Sequence, residues 1–521
     1  MKIAIPQINY KAGDIDGNSE KILRAIRQAE KEKAELTIFP PLAICGALPQ
    51  DLLEREDFIN ACRLAVERLA LQCNRTAVLI GAPNLDLSNG IMYNSAYFIQ
   101  HGEVVDGVHK NILSDYDLLN ESRYFVAGED NTPIRCNGKA IRILFDEYES
   151  EFIEPGDHLV ILFGSTPFSV EGKLSRHRLL ASLAQKYRKD LLFVNHVGGY
   201  TSALFDGGSA FYNAKGQQVT QWATFAEDFR VIDTGKATPS ATAVPAPERM
   251  ALIHQALCFG IRDYFDKHGF TKAVLGLSGG IDSAVVAALA AEALGAENVM
   301  GILMPSRYST DHSITDAEAL AENIGMPHHT IAIKDIYNQY TESLRPVFGD
   351  LPFDVTEENL QARIRGMLVM ALSNKLGYIA LNTSNKSEAA VGYGTLYGDL
   401  CGSLSVIGDL YKTDVYALAR HINREREIIP LHTIEKAPSA ELHPGQKDQD
   451  TLPDYAQLDA ILKLHLEDNL SPEAITAKGY PEETVRKVTG MVARNEYKRA
   501  QCPPNLKIST KAFGSGRHYP F

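Results

Sequence analysis

The densest chemistry in the sequence lies at Ser278-Gly279-Gly280-Ile281-Asp282-Ser283. An apolar run, Lys272–Leu277, leads straight into this turn, and an apolar helix follows it. A helix start presents unpaired backbone N–H groups and partial positive charge, a natural site for phosphate. Adjacent glycines let the backbone approach an anion with no Cβ in the way. Ser278 and Ser283 offer hydroxyl donors at either end. Asp282 beside a polyphosphate makes sense if a divalent cation such as Mg²⁺ lies between them. The spacing is neither GxxxxGK[ST] nor GxGxxG, and the bland alternative is a turn whose Ser or Asp caps the helix.

A second cluster is Tyr378–Glu388, where an apolar strand ends in Asn382, Thr383, Ser384 and Asn385, and Glu388 enters the next helix. Ligands of open α/β sheets bind beyond the carboxyl ends of the strands, so Glu388 can supply a second carboxylate to the same cation. Equally, Thr383 or Ser384 can simply cap a helix. A third stretch, Leu396–Lys412, contributes Asp399 and Lys412 as candidate polar and phosphate contacts. Basic residues between Arg494 and Lys511 either reach over an anionic ligand or form a solvated tail.

These clusters need a frame. The first third alternates short β-branched runs with few helices. Strands are expected at Ile3–Asn9, Glu35–Pro40, Thr76–Pro83, Tyr93–Gln100, Ile141–Asp146, Leu159–Gly164 and Leu191–Val197, with helices at Asn18–Lys33 and Arg176–Asp190. That texture indicates a mixed sheet, or two sheets flanked by helices. Lys236–Met250 has linker composition, rich in Pro, Ala, Thr and Ser, and the boundary is placed between domains 1–240 and 241–521. Beyond it comes regular alternation: helix Ala251–Gly269, strand Lys272–Leu277, helix Ser283–Leu294, strand Asn298–Pro305, helix Asp311–Ile324 and strand His328–Ile333. This predicts a doubly wound parallel sheet, so the chain is read as α/β throughout.

Composition narrows the function further. Lys plus Arg is 52 and Asp plus Glu is 65, a net charge of −13, and no long basic block offsets it. Bulk nucleic acid is therefore an unsuitable partner. No apolar run is long enough for a membrane span, and MKIAIPQINY lacks the pattern of a secretory signal, so a cytoplasmic location is expected. Seven scattered cysteines form neither a disulfide framework nor a paired CxxC metal site.

The SGGIDS turn resembles that of the ATP-pyrophosphatase (adenine nucleotide alpha hydrolase-like) group, whose members activate a carbonyl oxygen with AMP. Around it, GLSGGIDSA, MPSRYSTDHS, ENLQARIRG, NTSNKSE, YGDLCG, KTDVY, PSAEL and EYKR run in order through the second domain. Together they resemble NAD⁺ synthetases; the turn alone would not separate these from GMP, asparagine or tRNA-lysidine synthetases. The resemblance implies a ligase that adenylates the nicotinate carboxylate of deamido-NAD⁺ (nicotinic acid adenine dinucleotide) with ATP and amidates it to NAD⁺, AMP and pyrophosphate. It implies that Gly276, Leu277, Ser278, Gly279, Gly280, Ile281, Asp282, Ser283, Thr383, Lys412 and Ser439 contact ATP. It assigns Asp282 and Glu388 to Mg²⁺, and Asn359, Arg363, Glu388, Asp399 and Lys498 to deamido-NAD⁺. It further implies homodimers or higher homo-oligomers formed through the synthetase domain.

The first domain resembles the nitrilase-type glutaminase half of glutamine-dependent NAD⁺ synthetases, an α-β-β-α sandwich. The matches are KIAIPQINYKAGDIDGN, TIFPPLAICGALPQDLL, HKNIL, ESRYF, STPFSVEGK, NHVGGY and FDGGS. Such domains use a Glu–Lys–Cys triad, with Cys as nucleophile, Glu as base and Lys at the oxyanion. Here the base position is Pro41, the lysine is Lys110, and the nucleophile position is Phe145. Proline accepts no proton and a phenyl ring is no nucleophile. Cys45 and Cys136 stand too far along the chain to substitute, and Lys110 is left as a relic or a structural charge. The expectation is an inactive glutaminase-like domain and a ligase fed with free ammonia, with a separate ammonia-supplying protein as a possible partner. The alternatives are the same ligase with working glutamine hydrolysis, another AMP-forming amide synthetase, and a catalytically silent scaffold.

Overall fold

The computed structural model describes residues 1–521 except 165, 237–247, 444, 515, 518, 520 and 521. The chain forms two compact units, Met1–Pro247 and Glu248–Phe521. The linker expected at Lys236–Met250 lies largely outside the described residues.

The first unit begins with β1 (Lys2–Gln7), α1 (Ile15–Lys31), β2 (Leu36–Ile38) and α2 (Glu56–Ala70). It continues with β3 (Ala77–Asp86), β4 (Ile91–Gln100), β5 (Glu103–His109), β6 (Ile134–Cys136), β7 (Lys139–Leu144), β8 (Leu159–Gly164) and α3 (Val170–Tyr187). The remaining strands are β9 (Asp190–Asn195), β10 (Val197–Tyr200), β11 (Ala203–Asp206), β12 (Ala210–Tyr212), β13 (Gln218–Gln221) and β14 (Asp228–Asp233). Two six-stranded sheets result, ordered β14-β1-β2-β3-β4-β5 and β13-β12-β9-β8-β7-β6.

Alternation along the strands assigns each side chain to a layer. Ala77 and Leu79 point into the core between the sheets, with Ile3, Ile5, Ile141, Ile143, Phe145 and Ile161. Val78, Ile80 and Ala82 point the other way, under α1 and α2. Val160 and Leu162 likewise meet Leu180, Leu183 and Ala184 of α3. Both faces of each sheet are thus covered, which is why these strands read as continuous apolar runs. The α-β-β-α sandwich is the observed architecture. The single tryptophan, Trp222, lies in the inter-sheet core and donates from Nε1 to the Ile5 carbonyl at 3.0 Å.

Helix ends differ from the sequence expectation where capping decides. α1 starts at Ile15 rather than Asn18 because the Asp14 side chain accepts from Gly17 N. α3 starts at Val170 rather than Arg176 because Ser169 accepts from Gly172 N.

The second unit runs α4 (Arg249–His268), β15 (Ala273–Leu277), α5 (Ile281–Leu294), β16 (Val299–Leu303), α6 (Asp311–Ile324) and β17 (His328–Thr330). It continues α7 (Lys334–Phe348), α8 (Val355–Leu376), β18 (Ile379–Asn382), α9 (Lys386–Val391), β19 (Leu404–Ser405) and α10 (Lys412–Ile422). The sheet is five-stranded, ordered β17-β16-β15-β18-β19, and all its pairings are parallel. Val274, Ile302 and Ala380 pack under α7 and α8. α5 is apolar nearly all round and buried, packed with α4 and α10. β17 ends at Thr330, three residues short of the expected Ile333, which instead precedes α7 as its cap.

Candidate functional site

The order of the sheet sets where the site must be. From β15 the chain winds outward to β16 and β17, then returns to lay β18 on the other side of β15. The turns after β15 and β18 therefore flank the switch point, the crevice where open α/β sheets bind ligands. A cavity of about 310 Å³ opens there. Its lining includes Gly276–Ser283, Thr383, Glu388, Asp399, Lys412 and Ser439.

In the turn after β15, Gly279 has φ +75°, and a Cβ there would lie 2.2 Å from the Ser313 carbonyl oxygen. No side chain other than hydrogen fits. Ser278 and Ser283 do not project as free donors; their hydroxyls face each other at 3.2 Å and hold the turn. Gly280 N donates to Ser278 Oγ at 3.2 Å, and Ser283 Oγ donates to the Gly280 carbonyl at 3.0 Å. No side chain caps the start of α5. Its first N–H groups are thus available to an anion.

Asp282, Glu388 and Lys412 converge from three separate segments. Lys412 Nζ donates to Asp282 Oδ2 and, at 3.0 Å, to Glu388 Oε1. Asn385, not Thr383 or Ser384, caps α9: its Oδ1 accepts from Glu388 N at 3.0 Å while its Nδ2 donates to Asp282 Oδ1 at 2.9 Å. One asparagine thus orients the Asp282 carboxylate and fixes the backbone at Glu388. Burial pulls the Lys412 ammonium down, but the two carboxylates more than reverse this and hold it charged. Burial and the neighbouring Asp282 push Glu388 up to about 7 against the pull of Lys412. Two carboxylates on one ammonium leave a surplus negative charge, which suits a further cation.

Across the cavity, Glu441 accepts from Lys436 Nζ at 2.8 Å and Ser313 Oγ at 2.7 Å. Arg365 lines the wall, donates to the Met304 carbonyl, and is pulled down to about 10 by burial. Sequence reasoning missed Lys436; Glu441 and Arg365 lie inside PSAEL and ENLQARIRG and Asn385 was named in the second cluster, so only the roles of these three were unread. Ser439 lines the cavity, but its hydroxyl donates to the Gln446 carbonyl at 2.6 Å.

Asn359, Arg363 and Lys498 do not line the cavity. They gather on the 392–399 loop instead. Thr395 links Asn359 to Asp399, donating from Oγ1 to Asn359 Oδ1 at 2.7 Å and from N to Asp399 Oδ1 at 2.6 Å. Arg363 Nε donates to the Leu396 carbonyl, and Lys498 Nζ to those of Gly392 and Gly394. Asp399 alone touches both groups, and burial raises its carboxyl. The basic C-terminal stretch is no solvated tail, since Arg499 and Lys507 are buried.

In the first unit, Lys110 is fully buried and donates to Ser114 Oγ at 3.0 Å and to Glu121 Oε2 at 2.5 Å. Its neighbour Asn111 and the residue at the nucleophile position share one carboxylate. Glu149 accepts from Asn111 N at 2.8 Å, Ile112 N at 3.1 Å and Phe145 N at 2.7 Å. The strand ends that would carry the lysine and the nucleophile are therefore tied together. Phe145 itself is buried against Phe163, with ring centroids 5.4 Å apart. Pro41 is buried, and its carbonyl accepts from His196 Nε2 at 2.6 Å. Cys136 pairs with Lys139 at the opposite end of β7, about 20 Å along the strand from Phe145 at its usual rise. Cys45, Cys62 and Cys73 lie in the separate core under α1 and α2. Burial pushes the Cys136 thiol up to about 11 and Cys45 up as well, so neither is poised as a thiolate.

Comparison with known proteins now decides the family. Residues 253–502 match the NAD synthase model, and residues 2–145 match the carbon-nitrogen hydrolase model. A glutamine-dependent NAD⁺ synthetase of Synechocystis sp. is 42% identical, over 99% of this chain and 98% of that protein. The chain belongs to the NAD⁺ synthetase family. A glutamine-dependent NAD⁺ synthetase of Thermotoga maritima is 38% identical over 100% of this chain and 98% of its own length. The solved glutamine-dependent NAD⁺ synthetase of Acinetobacter baumannii, in complex with ADP, superposes with a TM-score of 0.80. It is 36% identical, covering 100% of this chain and 98% of that one. The protein is thus an NAD⁺ synthase, a ligase that forms a C–N bond with ATP. Among the described residues, no helix is long and apolar enough to cross a membrane.

Proposed function

We propose that this NAD⁺ synthase takes ammonia from solution rather than from glutamine hydrolysed by its own first unit. The supporting observation is the pair of residues at the triad positions, a buried Pro41 and a buried Phe145; the nearest thiol in sequence to Pro41, Cys45, is itself buried and donates to the Leu42 carbonyl at 3.7 Å. A second reading, hydrolysis of glutamine by the first unit, is favoured by the names of the relatives, which are glutamine-dependent. It requires a nucleophile other than the residue at 145.

In the second unit, the turn at Gly276–Ser283 holds the ATP phosphates through the free N–H groups of α5, with Thr383 and Ser439 as further contacts. Asp282 and Glu388 fit a magnesium ion, given their surplus negative charge around Lys412. When bound, Mg²⁺ supplies charge neutralisation for the triphosphate. Lys412 is kept charged and aimed by its two carboxylates, and faces the α-phosphate as the nicotinate oxygen attacks it. Asn385 holds the Asp282 carboxylate and the turn of helix that carries Glu388 in register for that role. Pyrophosphate leaves along the turn, and ammonia then attacks the acyl adenylate. Asn359, Arg363, Asp399 and Lys498, grouped on the 392–399 loop, bind deamido-NAD⁺. The same part of the unit exposes Met367, Leu376 and Tyr397, apolar surface suited to a homodimer. A separate ammonia-supplying protein is the natural partner of such an enzyme.

The test is NAD⁺ formation by the purified chain from deamido-NAD⁺ and Mg-ATP, with ammonium or with ammonia-free glutamine. Product with ammonium alone supports the proposal. Equal product with glutamine overturns it in favour of the second reading.

A further inference from the structure

We propose that His254, Cys258, Glu292 and His421 form a binding site for one zinc ion. His254 and Cys258 are one helical turn apart on α4 and share a face. Glu292 comes from the last turn of α5, and His421 from the last turn of α10. Among the described residues, His254, Cys258 and Glu292 form the one such cluster, with their ligand atoms all within 4.8 Å of one another.

The geometry is close to that of a tetrahedral ion. Bond lengths of about 2.0–2.3 Å place neighbouring S and N ligands about 3.6 Å apart, and N and O ligands about 3.4 Å apart. Here Cys258 Sγ lies 4.0 Å from His254 Nε2, and Glu292 Oε2 lies 3.1 Å from the same nitrogen. Two imidazoles on one tetrahedral zinc have ring centroids about 5.2 Å apart by the same construction. Those of His254 and His421 are 5.6 Å apart. Side-chain movements of about an ångström would bring His254, Cys258 and Glu292 to those spacings, and His421, whose ring nitrogens lie outside their cluster, must turn further to complete the site.

The donor chemistry selects the metal. One thiolate, one carboxylate and two neutral imidazoles balance the charge of a divalent ion. A thiolate with imidazoles suits zinc and excludes magnesium, which requires oxygen ligands. Binding expels the Cys258 proton to solvent, because the thiolate is the ligand. Glu292 is 58% exposed, which gives the ion a way in, while His254 and Cys258 are buried.

The consequence is mechanical. α5 and α10 are already joined at their first turns by Lys412 and Asp282. About three turns along each helix, zinc would join them again and tie both to α4. The ion is therefore structural, bracing from behind the two helices that carry the phosphate turn and Lys412.

The experiment uses the full chain, stripped of metal and titrated with Zn²⁺ against a chromophoric chelator in excess Mg²⁺, which blocks oxygen-ligand sites. One Zn²⁺ per chain is expected, with Kd below about 1 µM. Cys258→Ser and His254→Gln should each weaken binding by about 100-fold or more, and the exposed Glu292→Gln by about 10-fold. Co²⁺ in place of Zn²⁺ should give a thiolate charge-transfer band that Cys258→Ser abolishes. Circular dichroism establishes that each variant is folded, and Glu292→Gln, at the surface, carries the test if a core variant is not. Absence of tight binding overturns the proposal. So does tight binding that is unchanged in the variants, or cobalt binding without a thiolate band.

Discussion

Lys386 offers the sharpest test of how the site is supported. It is fully buried, and its ammonium reaches Asp409 at 2.9 Å, Glu467 at 3.0 Å, Ser509 Oγ at 2.7 Å and the Lys511 carbonyl at 2.9 Å. Burial pulls this lysine down, and the two carboxylates more than restore it. Lys386→Met keeps nearly the same volume, so the cavity term is small and the electrostatic term dominates. Removing one partner of a buried ion pair costs about 3–5 kcal/mol. Asp409 retains Ile508 N, Ser509 N and Ser509 Oγ, and Glu467 retains Thr510 Oγ1, which favours the lower half of that range. A loss of about 3–5 kcal/mol accelerates hydrogen exchange by about 150- to 5,000-fold in segments that open through global unfolding. Peptides spanning α9, 404–411 and 505–511 should show it, while peptides from β3 and β4 in the other compact unit should not. Asn385 and Glu388 flank the substituted residue, so ATP-dependent turnover should fall as well. Acceleration below tenfold in all three second-unit peptides would refute the assignment of Lys386 as the hub of this network.

Four further outcomes are expected. Asp282→Ala should abolish pyrophosphate release, because it removes a carboxylate shared by Lys412 and Asn385; near-normal turnover would exclude the role. Gly279→Ala should weaken ATP binding at least tenfold in equilibrium dialysis, since its Cβ meets the Ser313 carbonyl at 2.2 Å and its φ is +75°. Phe145→Cys should destabilise the first unit by about 2–4 kcal/mol in urea without conferring glutamine use, because Pro41 still leaves no base; substantial glutamine-driven NAD⁺ formation would reveal another base. Burial pushes the Asp206 carboxyl up, but Arg176 and Lys173 more than reverse this and hold it well below the usual carboxylate range. Its contribution is therefore full above the unfolded value of about pH 3.9 and is lost as pH falls toward the folded one. Acid unfolding of Asp206→Asn should show a flatter dependence on pH below about 4, and an unchanged slope would count against the pairing.

The frame of both units was legible because apolar periodicity and turn chemistry agree along most of the chain. The helix α5 could be read from its composition, and the SGGIDS turn from two glycines between a strand and that helix. The ends of α1 and α3 were misjudged because single side chains, Asp14 and Ser169, set them. Short strands such as β10 to β13 carry too few residues to show a period. At the site, residue types were readable but partners were not. Lys436 and Glu441 lie five residues apart, yet they meet over Ser313, more than a hundred positions away. Asn359, Arg363 and Lys498 were assigned to deamido-NAD⁺ by resemblance alone; that they meet on the 392–399 loop is shown only by the fold. Only tertiary structure can show that Asn385 is the cap and that Ser278 and Ser283 are spent on one another.

Trp222 has a practical meaning for anyone handling this enzyme. With one indole in the chain, sealed between the sheets of the first unit, red-edge fluorescence is a spectator confined to that unit. A melting curve recorded from it describes the sandwich alone. The catalytic half could unravel without a change in that signal, so its integrity has to be followed by tyrosine emission, by ellipticity or by turnover itself.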